Sequence, residues 1–321
     1  MSMAPNLITL TGFSFVVINI LTLLWYNPTL DVDCPPWVYA SWAVGLFLYQ
    51  TFDAVDGTQA RRTHQSGPLG ELFDHGVDAV NTSLECLIFA ASQNFGMGWK
   101  TVMVLFASLL TFYVQTWDEY HTKTLTLGLV SGPVEGIVIL ITVYAFTAIK
   151  GGASFWAQSM FRTVGIPHYA FIPDYIYELP FNEWYMVQGS IVLVLNTVQS
   201  SINVIRARRA RGDRSRVGQM ITAHLVKLPF PYTNVLNLPL AYGVFDSAGP
   251  FLKETFGFGW PSALGGGVYQ VAYLFCMLGV AVGVYGSFVV DVIVTICDYL
   301  DIWCLTIKHP WNEEEEAKKA N

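Results

Sequence analysis

Residues 53–78 read DAVDGTQARRTHQSGPLGELFDHGVD. Four aspartates (Asp53, Asp56, Asp74 and Asp78), four glycines and the pair Arg61-Arg62 stand between two strongly apolar stretches. A charged side chain at the bilayer centre costs ~2.5–3.5 kcal/mol or more, so apolar chains keep such clusters only where they have a task. The spacing suggests the task. Asp53 and Asp56 are three residues apart and share a helical face. Gln65-Ser66-Gly67-Pro68 is a turn signal, and Pro68 suits the first position of a new helix. Gly70, Asp74 and Asp78 then recur every four residues on one face. The chain is expected to fold back as two helices that each offer two carboxylates to a shared cleft. Gly57, Ala60 and Gly70 leave room beside them for a helix or a ligand.

The rest of the chain sets the surroundings. Of 321 residues, 53% are hydrophobic and 13% charged, and the mean hydropathy is +0.43. Soluble domains carry about 25% charged residues. A span needs about 20 mostly apolar residues, and runs near 7–27, 37–55, 79–97, 100–117, 125–148, 184–205, 233–252 and 268–290 qualify. The expected fold is an all-α polytopic membrane protein with about eight transmembrane helices. Arg61 and Arg62 follow the second span; Arg206, Arg208, Arg209, Arg211, Arg214 and Arg216 follow the sixth; the connection 28–36 has no basic residue. The positive-inside rule then places both basic segments, and both termini, in the cytosol. The aromatic-rich connection 149–182 falls on the lumenal side. The run at Leu7 is read as a retained helix and not a cleaved signal, since no basic n-region precedes it.

Val217–Leu225 is apolar but about half the length of a span. Asp291, Asp298 and Asp301 are expected to end the last span near Val290, leaving an interfacial helix and a charged tail. The expected domains are therefore a catalytic membrane domain at 1–205, a basic segment with a truncated span at 206–232, two further helices at 233–290, and the tail at 291–321. The tail ends Lys318-Lys319-Ala320-Asn321 and resembles a di-lysine retrieval signal of the endoplasmic reticulum. The five cysteines, Cys34, Cys86, Cys276, Cys297 and Cys304, form no C-x-x-C pair and are read as packing residues. The net charge of −7, without a basic face interleaved with aromatics, gives no sign of nucleic-acid binding.

Four carboxylates in one cleft cannot all stay ionised unaided. Hard oxygen ligands suit Mg²⁺, which shares its shell with substrate phosphates. Two ions about 3.5–4 Å apart would clamp the attacking and leaving oxygens of a displacement at phosphorus. Arg61 is placed to hold a phosphate oxygen. A transporter pathway is the rival reading. An intramembrane prenyltransferase is another, but it needs a second Asp-rich loop that the chain lacks.

The motif D-x2-D-G-x2-A-R-x8-G-x3-D-x3-D runs through Asp53, Asp56, Gly57, Ala60, Arg61, Gly70, Asp74 and Asp78 without a gap. It resembles the signature of the CDP-alcohol phosphotransferases. PNLITLTGF (5–13), PLGELFDHG (68–76) and SGPVEGI (131–137) are similar to the eukaryotic choline/ethanolamine phosphotransferase branch, as are AHLVKLPFPYTNVLNLPLA (223–241) and SFVVDVIVTICDYLDIW (287–303). The resemblance implies that the first six helices enclose a chamber open to the cytosol and to lipid. It implies transfer of phosphocholine or phosphoethanolamine from the CDP-alcohol to diacylglycerol in the membrane of the endoplasmic reticulum or Golgi, by a protein that forms a homodimer. By the family pattern Asp53, Asp56, Asp74 and Asp78 hold two Mg²⁺ or Mn²⁺ ions. Asn6, Thr9, Gly57, Ala60, Arg61 and Gly70 border the nucleotide, and Asp78, His75 and Glu135 are the catalytic candidates. Glu85 is expected to pair with a neighbouring helix. Asp118, Glu119 and His121 are read as a solvated turn, and His224 as an interfacial histidine. Relatives carry a longer segment before PNLIT and a larger number of spans, so a piece is expected to be missing between Arg211 and Arg216. A catalytically impaired scaffold or splice form is the corresponding alternative.

Overall fold

A computed structural model describes residues 3–122, 133–169, 171–211, 237–265 and 268–308. The expectations for Val217–Leu225, His224, Arg214, Arg216 and the final four residues lie outside these. Within them the chain is helical, without a β-strand: α1 (Pro5–Tyr26), α2 (Pro36–Arg62), α3 (Pro68–Ser92), α4 (Trp99–Thr122), α5 (Pro133–Lys150), the short α6 (Met160–Val164) and α7 (Asp174–Tyr177), α8 (Phe181–Arg211), α9 (Asn237–Phe256) and α10 (Val268–Leu300). Proline opens α1, α2, α3 and α5, where its missing N–H costs nothing and its fixed φ favours the first turn. Arg61 and Arg62 close α2, where positive charge complements the helix dipole. The chain divides into two compact units, Met1–Ser215 with Leu305–Asn321, and Arg216–Cys304.

In the first unit α2 packs between α1 and α5, α3 touches α1, α4 and α5, and α4 lies along α8. The core lies among α1, α2, α3 and α5 and includes Val16, Leu23, Tyr39, Trp42, Leu46, Ile88, Phe89 and Tyr144. Trp42 meets Tyr39 and Tyr144 edge-on, with ring centroids 5.2 and 6.2 Å away. Two glycines let α1 and α2 close on one another. A Cβ at Gly12 would stand 2.8 Å from Phe52 Cβ, and one at Gly45 would overlap the Asn19 amide. That amide donates to the Trp42 carbonyl at 3.2 Å.

Away from the aspartates, Asp33 ties the connections together by accepting from Asn94 Nδ2 at 3.2 Å and Ser154 N at 2.9 Å. Lys100 pairs with Glu183 at 2.7 Å near the start of α4 and α8. Asn203 Nδ2 donates to Asp118 Oδ2 at 3.0 Å near their other ends, so the two helices run in the same direction. The expected solvated turn at 118–121 is thus corrected. Helix α4 continues to Thr122 and Asp118 is buried, because α8 supplies a partner that a single-helix reading cannot see. Glu85 does pair across helices: it accepts from the Tyr144 hydroxyl of α5 at 3.0 Å.

In the second unit, Asp246 of α9 accepts from the Ser262 hydroxyl and from Ala263 N, and Phe245 stacks on Trp260. Helix α10 runs unbroken past Val290 to Leu300. Asp291 and Asp298 do not interrupt it, since carboxylates lower helix propensity only slightly. It stops at Asp301, whose φ is 52°.

Large apolar side chains point outward along the helices, among them Ile18, Leu21 and Leu24 of α1 and Val44 and Phe47 of α2. Soluble monomers rarely expose patches of that extent. By length and composition, Pro5–Tyr26, Phe181–Ala207 and Tyr269–Leu300 can cross a membrane. The tight α1–α2 contact gives a direct test. Gly12→Ala should lower stability by about 1–3 kcal/mol, the usual cost of overpacking, seen as a lower thermal midpoint in detergent. An unchanged midpoint would contradict the close approach.

Candidate active site

The last three turns of α2 and the first three of α3 meet the first turns of α1. Asp53 and Asp56 come from α2, and Asp74 and Asp78 from α3. One carboxylate oxygen from each of Asp53, Asp56 and Asp74 lies within 4.8 Å of the others, Asp56 buried and its two partners half-buried. Neighbouring groups orient these acids. Thr9 of α1 donates its hydroxyl to Asp56 Oδ2, and Gln50 Nε2 donates to Asp53 Oδ2 at 3.1 Å. Asp74 Oδ1 is buried and has no donor among the described residues. Buried acceptors are normally satisfied, and three like charges this close repel one another strongly. A hard divalent cation meets both conditions, so the donor set fits one.

Asp78 neighbours this trio but lies outside the 4.8 Å group. Its Oδ1 accepts the Tyr49 hydroxyl at 2.5 Å. Tyr49 and Gln50 were not singled out in the sequence. The signal was there for Tyr49, which lies four residues before Asp53 and seven before Asp56 and so shares their face. Thr9, expected beside a nucleotide, donates its hydroxyl to a carboxylate of the trio.

The remaining candidates are placed as follows. Asn6 lies in the first turn of α1, and its Oδ1 would be 3.9 Å from a Cβ at Gly70, so these two residues face one another. A Cβ at Gly57 would lie 3.7 Å from Arg61 Nη1. Arg61 is exposed and donates to Thr58 Oγ1 at 3.2 Å. Ala60 and His75 are half-buried. Glu135 stands exposed in the first turn of α5; among the described residues, no hydrogen bond or ion pair joins it to the aspartates. The five cysteines are free.

Residues 2–168, which hold the whole aspartate motif, match the family described as CDP-alcohol phosphatidyltransferase. The chain belongs to this family. An uncharacterized class-I member from Schizosaccharomyces pombe is 41% identical over 367 residues, covering 99% of this chain and 89% of its own length. Cholinephosphotransferase 1 of Saccharomyces cerevisiae is 32% identical over 369 residues, 96% of this chain and 88% of the relative. Choline/ethanolaminephosphotransferase 1 of the same yeast is 34% identical over 358 residues, 95% and 87%. Each alignment is longer than the 321 residues of this chain, so stretches of each relative have no counterpart in it. CDP-alcohol phosphatidyltransferases generally depend on a divalent metal, in agreement with the carboxylate trio. The purified protein should bind Mn²⁺ in a titration followed by electron paramagnetic resonance. Asp74→Asn should weaken that binding by at least about 10-fold; undiminished binding would remove Asp74 from the ligand set.

Proposed function

We propose that this protein transfers phosphocholine or phosphoethanolamine from CDP-choline or CDP-ethanolamine to 1,2-diacylglycerol, releasing CMP. The observation that carries the reading is the convergence of Asp53, Asp56 and Asp74 within 4.8 Å on a chain similar over most of its length to cholinephosphotransferase and choline/ethanolaminephosphotransferase. In this reading Asp53, Asp56 and Asp74 hold Mg²⁺ or Mn²⁺, and Asp78 completes a second ion site. When bound, the ions neutralise charge on the diphosphate and on the departing CMP.

The chain's own residues do the rest. Arg61, free of carboxylate partners among the described residues, holds a phosphate oxygen of the donor. Asn6 and Gly70 face one another beside α1, with Gly57 and Ala60 along α2, so the backbone can approach the nucleotide closely. The diacylglycerol hydroxyl oxygen attacks the phosphorus that bears the amino alcohol, and the bond from that phosphorus to the CMP oxygen breaks. The hydroxyl proton passes to Asp78. His75, beside Asp74, and Glu135 are the other candidates. A base so placed contributes about 10²–10⁴-fold.

The long helices α1–α5, α8, α9 and α10 fall on the eight apolar runs of the sequence, and we assign each a membrane crossing, with the first six around the reaction chamber. Both termini, the basic segment after α8 and the aspartate cleft then face the cytosol. The tail directs the protein to the endoplasmic reticulum or Golgi, and the later helices support a homodimer. The residues that the relatives have and this chain lacks favour one second reading, a catalytically impaired splice form.

Membranes containing the protein, given Mg²⁺, diacylglycerol and either CDP-choline or CDP-ethanolamine, should release CMP, and excess EDTA should stop the release. Asp78→Asn should abolish turnover while sparing expression. No CMP from either donor would leave the impaired form as the account.

A further inference from the structure

Tyr49 is 1% exposed. It sits in the apolar core with Trp42 and Leu46, one helical turn before Asp53. Its phenol donates to Asp78 Oδ1 at 2.5 Å. Among the described residues no other hydrogen bond reaches the Asp78 side chain. Asp78 is also the one motif aspartate outside the trio. An aspartate turns readily about its last bond, and a short charge-assisted bond from an immobile donor removes that freedom.

We propose that Tyr49 is a positioning residue for the transfer reaction: it pins Oδ1 of Asp78, so that Oδ2 is the oxygen presented to the diacylglycerol hydroxyl. The proposal rests on the transfer reading above. Its energetic logic is that of preorganisation. The Tyr49 ring is locked by burial before substrate arrives, so no ordering cost falls on the reacting carboxylate later. A purely structural role for Tyr49 is the bland alternative, since buried tyrosine hydroxyls usually find a partner. Tyr39, ten residues earlier on α2, is such a case. It is equally buried, and its hydroxyl oxygen accepts from Cys34 N at 2.9 Å, away from the aspartates.

The two tyrosines therefore make a matched pair for the experiment. Steady-state kinetics with CDP-choline, diacylglycerol and Mg²⁺ would be measured for wild type, Tyr49→Phe and Tyr39→Phe, with melting temperatures for all three. Tyr49→Phe should lower kcat by about 10–100-fold and leave both KM values within about twofold. Tyr39→Phe should lower the melting temperature but keep kcat within about twofold. Mn²⁺ binding at the Asp53–Asp56–Asp74 trio should be the same in Tyr49→Phe as in wild type. A kcat for Tyr49→Phe within about twofold of wild type overturns the proposal, as does a loss of kcat that Tyr39→Phe shares. If neither Tyr49→Phe nor Tyr49→Met yields folded protein, Tyr49 is structural and the proposal fails. Wild type that makes no CMP overturns the transfer reading together with this one. Wild-type activity that Tyr49→Phe retains overturns this one alone.

Discussion

Mutual repulsion among three carboxylates, one buried and two half-buried, is the constraint on which the rest of the molecule turns. Two unit charges 4 Å apart repel by about 4 kcal/mol at the effective dielectric of a protein surface. Here Asp53, Asp56 and Asp74 bring oxygens within 4.8 Å of one another. A bound cation or a proton relieves that repulsion. The surrounding structure is arranged to keep the cluster in place. Gly12 allows α1 to lie close against α2 at Phe52, and one turn earlier Thr9 reaches Asp56. The core of Trp42, Tyr39 and Tyr144 fixes α2 against α5. The Glu85–Tyr144 bond fixes α5 against α3, the helix that carries Asp74 and Asp78.

Much of the site was legible in the sequence because it is local. The intervals between aspartates fix shared faces on two consecutive helices, and Gly67-Pro68 fixes the point where the chain turns back. Pro68 marked where α3 starts. The apolar runs marked where the long helices lie, and among the described residues three helices are long and apolar enough to cross a membrane.

Features that depend on a second helix were not legible. Asp118 reads as part of a hydrophilic turn until Asn203, 85 residues later, is brought beside it. The bond from Thr9 to Asp56 depends on α1 lying against α2. Tyr49 reads as one more interior aromatic until α3 delivers Asp78 to its hydroxyl. Helix α10 continues from Val290 to Leu300, where neither glycine nor proline is present to break it. For Asp118 and Tyr49 the partner comes from another helix.

The central claim is that the trio holds a divalent cation against the diphosphate of the donor. The most direct measurement is phosphorus-31 electron–nuclear double resonance on the Mn²⁺-loaded protein with CDP-choline bound. A resolved manganese–phosphorus coupling, lost in Asp53→Asn, is the predicted result. Bound Mn²⁺ with no phosphorus coupling, or coupling untouched by that substitution, would contradict the account.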